Sequence, residues 1–159
     1  PSRESDLYLA PVQGAAIDFW LIRLVFAGDG ELKDKLVRVA RELHLEKNII
    51  WLSNEHDMQA LYSASDAMIF PSLYEGLPMA LVEAQAAGLP CFMSDTVSSE
   101  TVISDSCVVL PIDQGIGPWV RAITTADLPS TPVVRASGAG QVVSHGFDIS
   151  DVAHNLEDI

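Results

Sequence analysis

Two glutamates, Glu75 and Glu83, are the side chains whose spacing most clearly suggests chemistry, with seven residues between them. Pro78 can open a helix in its first turn, and Gly88 can close that helix. Glu75 would then lie just before the helix and Glu83 inside it. Unpaired backbone N–H groups and the helix dipole favour an anion at such a helix start. Carboxylates on both sides of a phosphate site suggest a phosphorylated ligand with hydroxyls at both ends, and a nucleotide-sugar has that shape.

The segments that would position these glutamates alternate between strands and helices. Apolar runs typical of buried parallel strands lie at 20–27, 48–52, 67–70, 89–93 and 107–110. Helical patterns lie at 31–43, 58–64, 78–88 and 118–126. This alternation predicts an α/β fold, a Rossmann-like doubly wound parallel sheet with helices on both faces and right-handed crossovers.

Ligands of such sheets bind beyond the carboxyl ends of the strands. The turn Gly28–Gly30, the turn after Leu52 and the loop Tyr74–Pro78 each follow a predicted strand. We therefore expect these three loops to meet at one edge of the sheet and to form one site.

The domain organisation follows from composition along the chain. Residues 1–127 are predicted to form one domain, and residues 128–147 a linker or flexible loop, because Pro, Ser, Gly and Thr are enriched there. Residues 148–159 are predicted to form a C-terminal helix that packs back on the domain. The chain starts at Pro1 without a methionine, which suggests a piece of a longer polypeptide.

Charge and composition exclude several classes of protein. A formal charge of −13 over 159 residues argues against a nucleic-acid surface, which needs clustered lysines and arginines. No apolar run has the length of a membrane span, and no leader resembles a signal peptide. Cys91 and Cys107 lie in apolar runs, as small buried hydrophobes of a reducing compartment do, and a disulfide is the less favoured alternative. The four histidines follow no metal-binding spacing.

Two segments carry a resemblance to a known family. Residues 70–78 read FPSLYEGLP and residues 83–90 read EAQAAGLP. Both resemble the donor-binding half of retaining glycosyltransferases of family 4, whose GT-B architecture consists of two facing Rossmann-like domains. The resemblance covers residues 21–112, and residues 146–149 are similar to the closing helix of capsular and exopolysaccharide members. It implies that residues 1–127 are a donor-binding domain truncated at its N-terminal edge.

The resemblance assigns roles to the residues around the predicted helix start. It places Glu75, the catalytic residue, beside the donor sugar and its leaving phosphate, and Glu83 at the ribose hydroxyls. The amides of Gly76, Leu77 and their neighbours in the loop to Pro78 would hold the diphosphate or the sugar. A solvated loop acid and a helix-face acid are the plain alternative for the two glutamates.

The resemblance also assigns residues to the nucleotide end of the donor. Gly28, with Gly30 in the same turn, would let the backbone approach the nucleotide, and the backbone at Leu52 would lie near the base. A plain strand-to-helix turn is an equally good interpretation of the two glycines. The family uses an Arg and a Lys to neutralise the diphosphate. The strand that carries the Arg is absent, and Arg3 is the candidate for the Lys, with an exposed terminal residue as the alternative.

The predicted function is therefore donor binding in a retaining hexosyltransferase of surface polysaccharide biosynthesis. The resemblance implies a nucleotide-diphosphate-sugar substrate, a UDP-sugar by preference, without a metal or other cofactor. The acceptor-binding N-terminal domain is missing, so the chain alone is expected to be inactive. The location is expected to be cytoplasmic, with any membrane contact made by the missing domain. A non-catalytic α/β interaction or regulatory module and a GT-B-shaped nucleotide-sugar epimerase are the alternatives.

Overall fold

The computed structural model describes residues 22–53, 57–128 and 137–144. Contacts between residues divide the chain into two compact units. The first unit holds the described residues of Pro1–Met58 and Pro111–Ala126, and the second holds those of Gln59–Leu110 and Asp127–Ile159. Each unit is considered by itself below.

Strands and helices alternate along the described ranges. The strands are β1 (Leu24–Ala27), β2 (Ile49–Leu52), β3 (Met68–Phe70), β4 (Cys91–Ser94) and β5 (Cys107–Leu110). The helices are α1 (Lys33–Glu42), α2 (Met58–Ala64), α3 (Met79–Ala86), α4 (Gly117–Thr125) and α5 (Ser137–Ser144). This order confirms the predicted α/β class.

In the first unit, β1 and β2 pair in parallel, with Leu24 opposite Ile49. Helix α1 has apolar residues at helical spacing, and it buries Leu36 and Ala40 in a cluster that also contains Ile49. The rings of Phe26 and Trp51 stack with centroids 4.7 Å apart at the margin of this cluster. Trp51 is thus a packing residue of this unit.

In the second unit, β3, β4 and β5 form a parallel ladder in that order. All four residues of β4 are buried, as the near-continuous apolar sequence of a central parallel strand predicts. The prediction of one continuous sheet, and of three loops that meet at one edge, spans both units. It stays a prediction, because β1–β2 and β3–β4–β5 are separate ladders.

Cys91 and Cys107 lie opposite each other on β4 and β5, and both are free thiols. Burial raises the pKa of the Cys91 thiol far above its usual range, and it raises the pKa of Cys107 to about 11. Burial therefore keeps both groups in the unreactive thiol form. This confirms the interpretation of Cys91 as a small buried hydrophobe, whereas Cys107 is half-buried.

Helix α5 lies within residues 128–147, where composition predicts a linker or flexible loop. Ser137–Ser144 are helical, and the domain boundaries stay a prediction. Val142 of α5 is buried together with Val82 of α3 and Ile103. Tertiary packing of an apolar face explains a helix that the glycine-rich sequence alone disfavours. The predicted helix at 148–159 lies outside the described residues.

Across residues 22–53, 57–128 and 137–144, every helix is too short or too polar to cross a bilayer.

Candidate functional site

The start of α3 lies one residue later than predicted. Pro78 precedes the helix in an extended conformation instead of occupying its first turn. Its carbonyl accepts the first hydrogen bonds of the helix, from the amides of Leu81 at 3.0 Å and Val82 at 3.4 Å. The amides of Met79 and Ala80 come before these first hydrogen bonds. Such leading amides and the helix dipole are the features that favour an anion at a helix start.

The end of α3 agrees with the prediction. Gly88 follows the helix in the left-handed conformation, with φ at 69°, and its amide donates to the carbonyl of Gln85 at 2.9 Å. Glycine adopts this conformation without the steric cost of a Cβ atom.

Glu75 lies in the exposed loop between β3 and α3. Its backbone forms an isolated parallel bridge with Val97, whose side chain is buried. Its carboxylate Oε1 is 3.4 Å from the hydroxyl of Ser72, at the long limit of a hydrogen bond. The backbone of Glu75 is thus held by the bridge while its carboxylate faces solvent.

Two hydroxyl groups at the end of β4 brace the start of this loop. The carbonyl of Ser72 accepts from the hydroxyl of Ser94 and from that of Thr96, the latter at 2.8 Å. The hydroxyls of Ser94 and Thr96 are 3.0 Å apart. The polar loop after β4 therefore supports the loop that carries Glu75, and sequence reasoning missed this contact.

Glu83 is exposed on α3, and its carboxylate is held by a side chain from another helix. The hydroxyl of Tyr62, on α2, donates to Oε2 of Glu83 at 3.2 Å. Tyr62 is only 6% exposed. Burial, followed by the negative charge of Glu83, raises the pKa of the Tyr62 hydroxyl to about 12.

The sequence motifs around Glu75 and Glu83 do not include Tyr62. The signal that could have found it is chemical, since a buried tyrosine hydroxyl needs a hydrogen-bond partner and Glu83 is the nearby acceptor.

The remaining residues of the predicted phosphate loop lie together in the same unit. Gly76 and Leu77 are exposed between Glu75 and the helix, and Pro78 is buried. Chain continuity thus brings the two glutamates and the loop Gly76–Pro78 to the start of α3, as predicted. Their contact with a donor stays a prediction.

Gln85 anchors α3 from its buried side. Its Nε2 atom donates to the carbonyls of Leu81 at 3.1 Å and Thr101 at 2.7 Å. Its Oε1 atom accepts the amides of Ile103 at 3.0 Å and Ser104 at 2.9 Å. The side chain is fully buried. One amide group therefore ties α3 to the segment before β5, which the sequence did not reveal.

In the first unit, the predicted nucleotide-end residues Gly28 and Leu52 contact each other. The amide of Gly28 donates to the carbonyl of Leu52 at 2.9 Å, which joins the ends of β1 and β2. Gly28 has a φ of 122°, and a Cβ atom there would meet nothing within 4 Å. The backbone angle, and not crowding, therefore requires glycine. Gly30 is exposed, and its carbonyl accepts the amide of Lys33 at 3.0 Å.

Three polar side chains link the same two loops. Lys33 Nζ donates to Asp29 Oδ1 at 2.6 Å and to Ser53 Oγ at 2.8 Å, and Ser53 Oγ donates to Asp29 Oδ1 at 2.7 Å. The hydrogen bond from Lys33, and then that from Ser53, lowers the pKa of Asp29. Arg3, the remaining predicted donor-binding residue, lies outside the described residues.

Metal coordination has no candidate site in the part of the chain that the structure describes, since no group of three or more His, Cys, Asp or Glu side chains could hold an ion there.

The fold is that of GT-B glycosyltransferases. The apo form of the lipopolysaccharide outer core galactosyltransferase WaaB superposes with a TM-score of 0.71 at 22% identity, over 96% of this chain and 43% of WaaB. Anabaena Alr3699/HepE in complex with UDP gives a TM-score of 0.75 at 18% identity, over 96% of this chain and 44% of HepE.

The family described as "Glycosyl transferases group 1" matches residues 20–109, and the chain belongs to it. The putative glycosyltransferase EpsF of Bacillus subtilis is 37% identical over 111 residues, which are 69% of this chain and 29% of EpsF. The UDP-Gal:alpha-D-GlcNAc-diphosphoundecaprenol alpha-1,3-galactosyltransferase of Escherichia coli is 26% identical over 99% of this chain and 42% of its own length. The chain spans less than half the length of these relatives.

Proposed function

We propose that this chain is the donor-binding domain of a retaining hexosyltransferase of family 4 that takes part in surface polysaccharide assembly. The observation that carries the proposal is the position of the two glutamates on either side of the helix start. Glu75 lies in the loop before α3, and Glu83 lies within α3. Family membership supports the transferase class. A UDP-sugar is the favoured donor, because HepE was crystallised with UDP and the Escherichia coli relative is named for UDP-Gal.

Each polar group at the helix start has a role in this proposal. Glu75 lies beside the donor sugar and its leaving phosphate as the catalytic residue, and Glu83 accepts hydrogen bonds from the ribose hydroxyls. The backbone of Gly76, Leu77 and Pro78 lines the diphosphate, and the helix start stabilises the charge that grows on the departing group without a metal ion. A carboxylate suits the ribose because it accepts two neighbouring hydroxyls.

Further residues are proposed for the nucleotide and its diphosphate. Gly28 and Gly30 allow the backbone to approach the nucleotide, Leu52 lies near the base, and Arg3 neutralises the diphosphate. The carbonyl of Leu52 already accepts the amide of Gly28, so it keeps one lone pair for a ligand.

The acceptor is assigned to a partner domain. An N-terminal domain of the longer protein would bind the acceptor, so the chain alone binds donor without transferring sugar. We place the complete enzyme in the cytoplasm, with any contact to the inner face of the membrane made by that other domain.

Calorimetric titration of the chain with UDP, GDP, ADP and their sugars tests the proposal. We expect UDP to bind, and Glu83→Ala to weaken that binding about ten-fold or more, since a hydrogen bond to a charged group is lost. Glu42→Ala removes an exposed glutamate at the end of α1 and serves as the matched control. Absence of nucleotide binding at millimolar concentration, or unchanged binding by Glu83→Ala, would refute the site.

A further inference from the structure

We infer that Tyr62 is a positioning residue for the donor, because its hydroxyl orients the Glu83 carboxylate toward the ribose. This inference rests on the proposed function, in which Glu83 accepts the ribose hydroxyls. Tyr62 acts through Glu83 and is assigned no contact with the ligand.

The geometry of the pair separates a fixed oxygen from an available one. Tyr62 Oη, on α2, donates to Glu83 Oε2, on α3, at 3.2 Å, and the two residues lie 21 positions apart in sequence. Among the described residues, the hydrogen bond from Tyr62 reaches Oε2 and not Oε1. A carboxylate has four lone-pair sites, so the bond from Tyr62 leaves Oε1 able to accept a ligand hydroxyl.

The two partners differ in exposure, so the buried residue orients the exposed one. Tyr62 is almost completely buried, so packing holds its ring, whereas Glu83 is exposed on the helix surface. An exposed glutamate would otherwise sample several rotamers and lose that freedom on binding. The fixed phenol thus reduces the entropy that Glu83 loses when a ligand binds.

The hydroxyl of Tyr62 also stays a donor. Burial and the charge of Glu83 keep its pKa near 12, so it carries its proton at neutral pH. The proton of this hydrogen bond therefore belongs to Tyr62, and Oε2 of Glu83 is its acceptor.

Tyr62→Phe tests this role, since it removes the hydroxyl and keeps the ring. The 159-residue chain and the variant are titrated with UDP and with 2′,3′-dideoxy-UDP, which lacks both ribose hydroxyls. The unsubstituted chain should prefer UDP. In Tyr62→Phe we expect UDP affinity to fall about five-fold while affinity for the dideoxy compound stays the same, so the preference shrinks by that factor.

The matched control is Ser63→Ala, which also removes a hydroxyl from α2, but at an exposed residue. This variant should keep the preference for UDP over the dideoxy compound, because the Ser63 hydroxyl donates to the carbonyl of Gln59 within its own helix. Thermal unfolding of both variants verifies that they are folded at the temperature of the titration.

The possible outcomes distinguish the positioning role of Tyr62 from the proposed contact of Glu83 with the ribose. An unchanged UDP preference in Tyr62→Phe overturns the positioning role and leaves the proposed function standing. Equal loss of affinity for both compounds also overturns it, because a general structural effect would act on both. If the unsubstituted chain binds both compounds equally, the assignment of Glu83 to the ribose is wrong, and the inference falls with it.

Discussion

Glu75 and Glu83 are the same residue type in different surroundings. The carboxylate of Glu75 has a long contact with one hydroxyl in its own loop, whereas that of Glu83 is held by a buried phenol from another helix. A carboxylate that contacts a buried side chain of another helix loses less freedom when it binds a ligand, which suits the donor-binding role proposed for Glu83.

Asp29 supports a prediction at the scale of one residue. Its carboxylate is 45% exposed and accepts hydrogen bonds from Lys33 and Ser53. Because these bonds favour the charged form, Lys33→Met should raise the pKa of Asp29 toward the usual range of an aspartate. Side-chain carboxyl NMR over a pH titration measures this change, and Lys47→Met, at an exposed lysine away from Asp29, should leave it unaltered.

The lowered pKa of Asp29 determines how its contribution to stability changes with pH. A carboxyl whose folded-state pKa is depressed stabilises the protein above its unfolded-state pKa and loses that contribution as the pH falls through the folded-state pKa. The stability difference between the unsubstituted chain and Lys33→Met should therefore be present at neutral pH and shrink in acid. A difference that grows in acid would contradict the assignment of this ion pair.

Helix α3 is the element on which both proposed functions of the second unit depend. Its start carries the loop of Glu75, its exposed face carries Glu83, and its buried face carries Gln85. Apolar packing of Val82 against α5 and the hydrogen bonds of Gln85 to the segment before β5 both anchor the helix on its buried side. The part of the site that holds Glu83 is therefore built on an anchored helix, which preserves the geometry of that carboxylate.

Gln85→Leu should destabilise the chain by about 2–4 kcal/mol. The substitution keeps the apolar bulk but leaves the carbonyl of Thr101 and the amides of Ile103 and Ser104 buried without their partner. Urea denaturation followed by circular dichroism measures the free energy of unfolding.

Gln59→Leu is the matched control, since Gln59 is exposed on α2, and its effect should stay within about 0.5 kcal/mol. Equal stability of the two variants would show that the Gln85 network does not anchor α3.

At the scale of the whole molecule, the formal charge of −13 opposes any anionic ligand. A nucleoside diphosphate must therefore be held by local groups, such as the amides at the start of α3, against the repulsion of the chain as a whole. Screening acts mainly on charges farther apart than the Debye length, about 8 Å at physiological salt.

Salt should therefore strengthen donor binding. Raising NaCl from about 20 mM to about 200 mM should increase UDP affinity about two-fold, because the long-range repulsion is screened more than the short-range contacts. Calorimetry at both salt concentrations measures the change, and uridine, which carries no phosphate, is the control that should show none. A steep fall in UDP affinity with salt would instead indicate a cluster of basic residues at the diphosphate.

The sequence by itself determined the α/β class, the order of strands and helices, and the placement of Glu75 and Glu83 around a helix start. These features depend on local signals, namely apolar periodicity, Pro78 before the helix and Gly88 after it. Only the tertiary structure decided how the glutamates are held. Tyr62 reaches Glu83 across 21 positions and Ser72 meets Thr96 across 24, and local patterns carry no information about such pairs. Tertiary contacts also decide the formation of helix α5. Burial of Val142 against α3 stabilises this helix, whereas its glycine-containing sequence alone does not favour one.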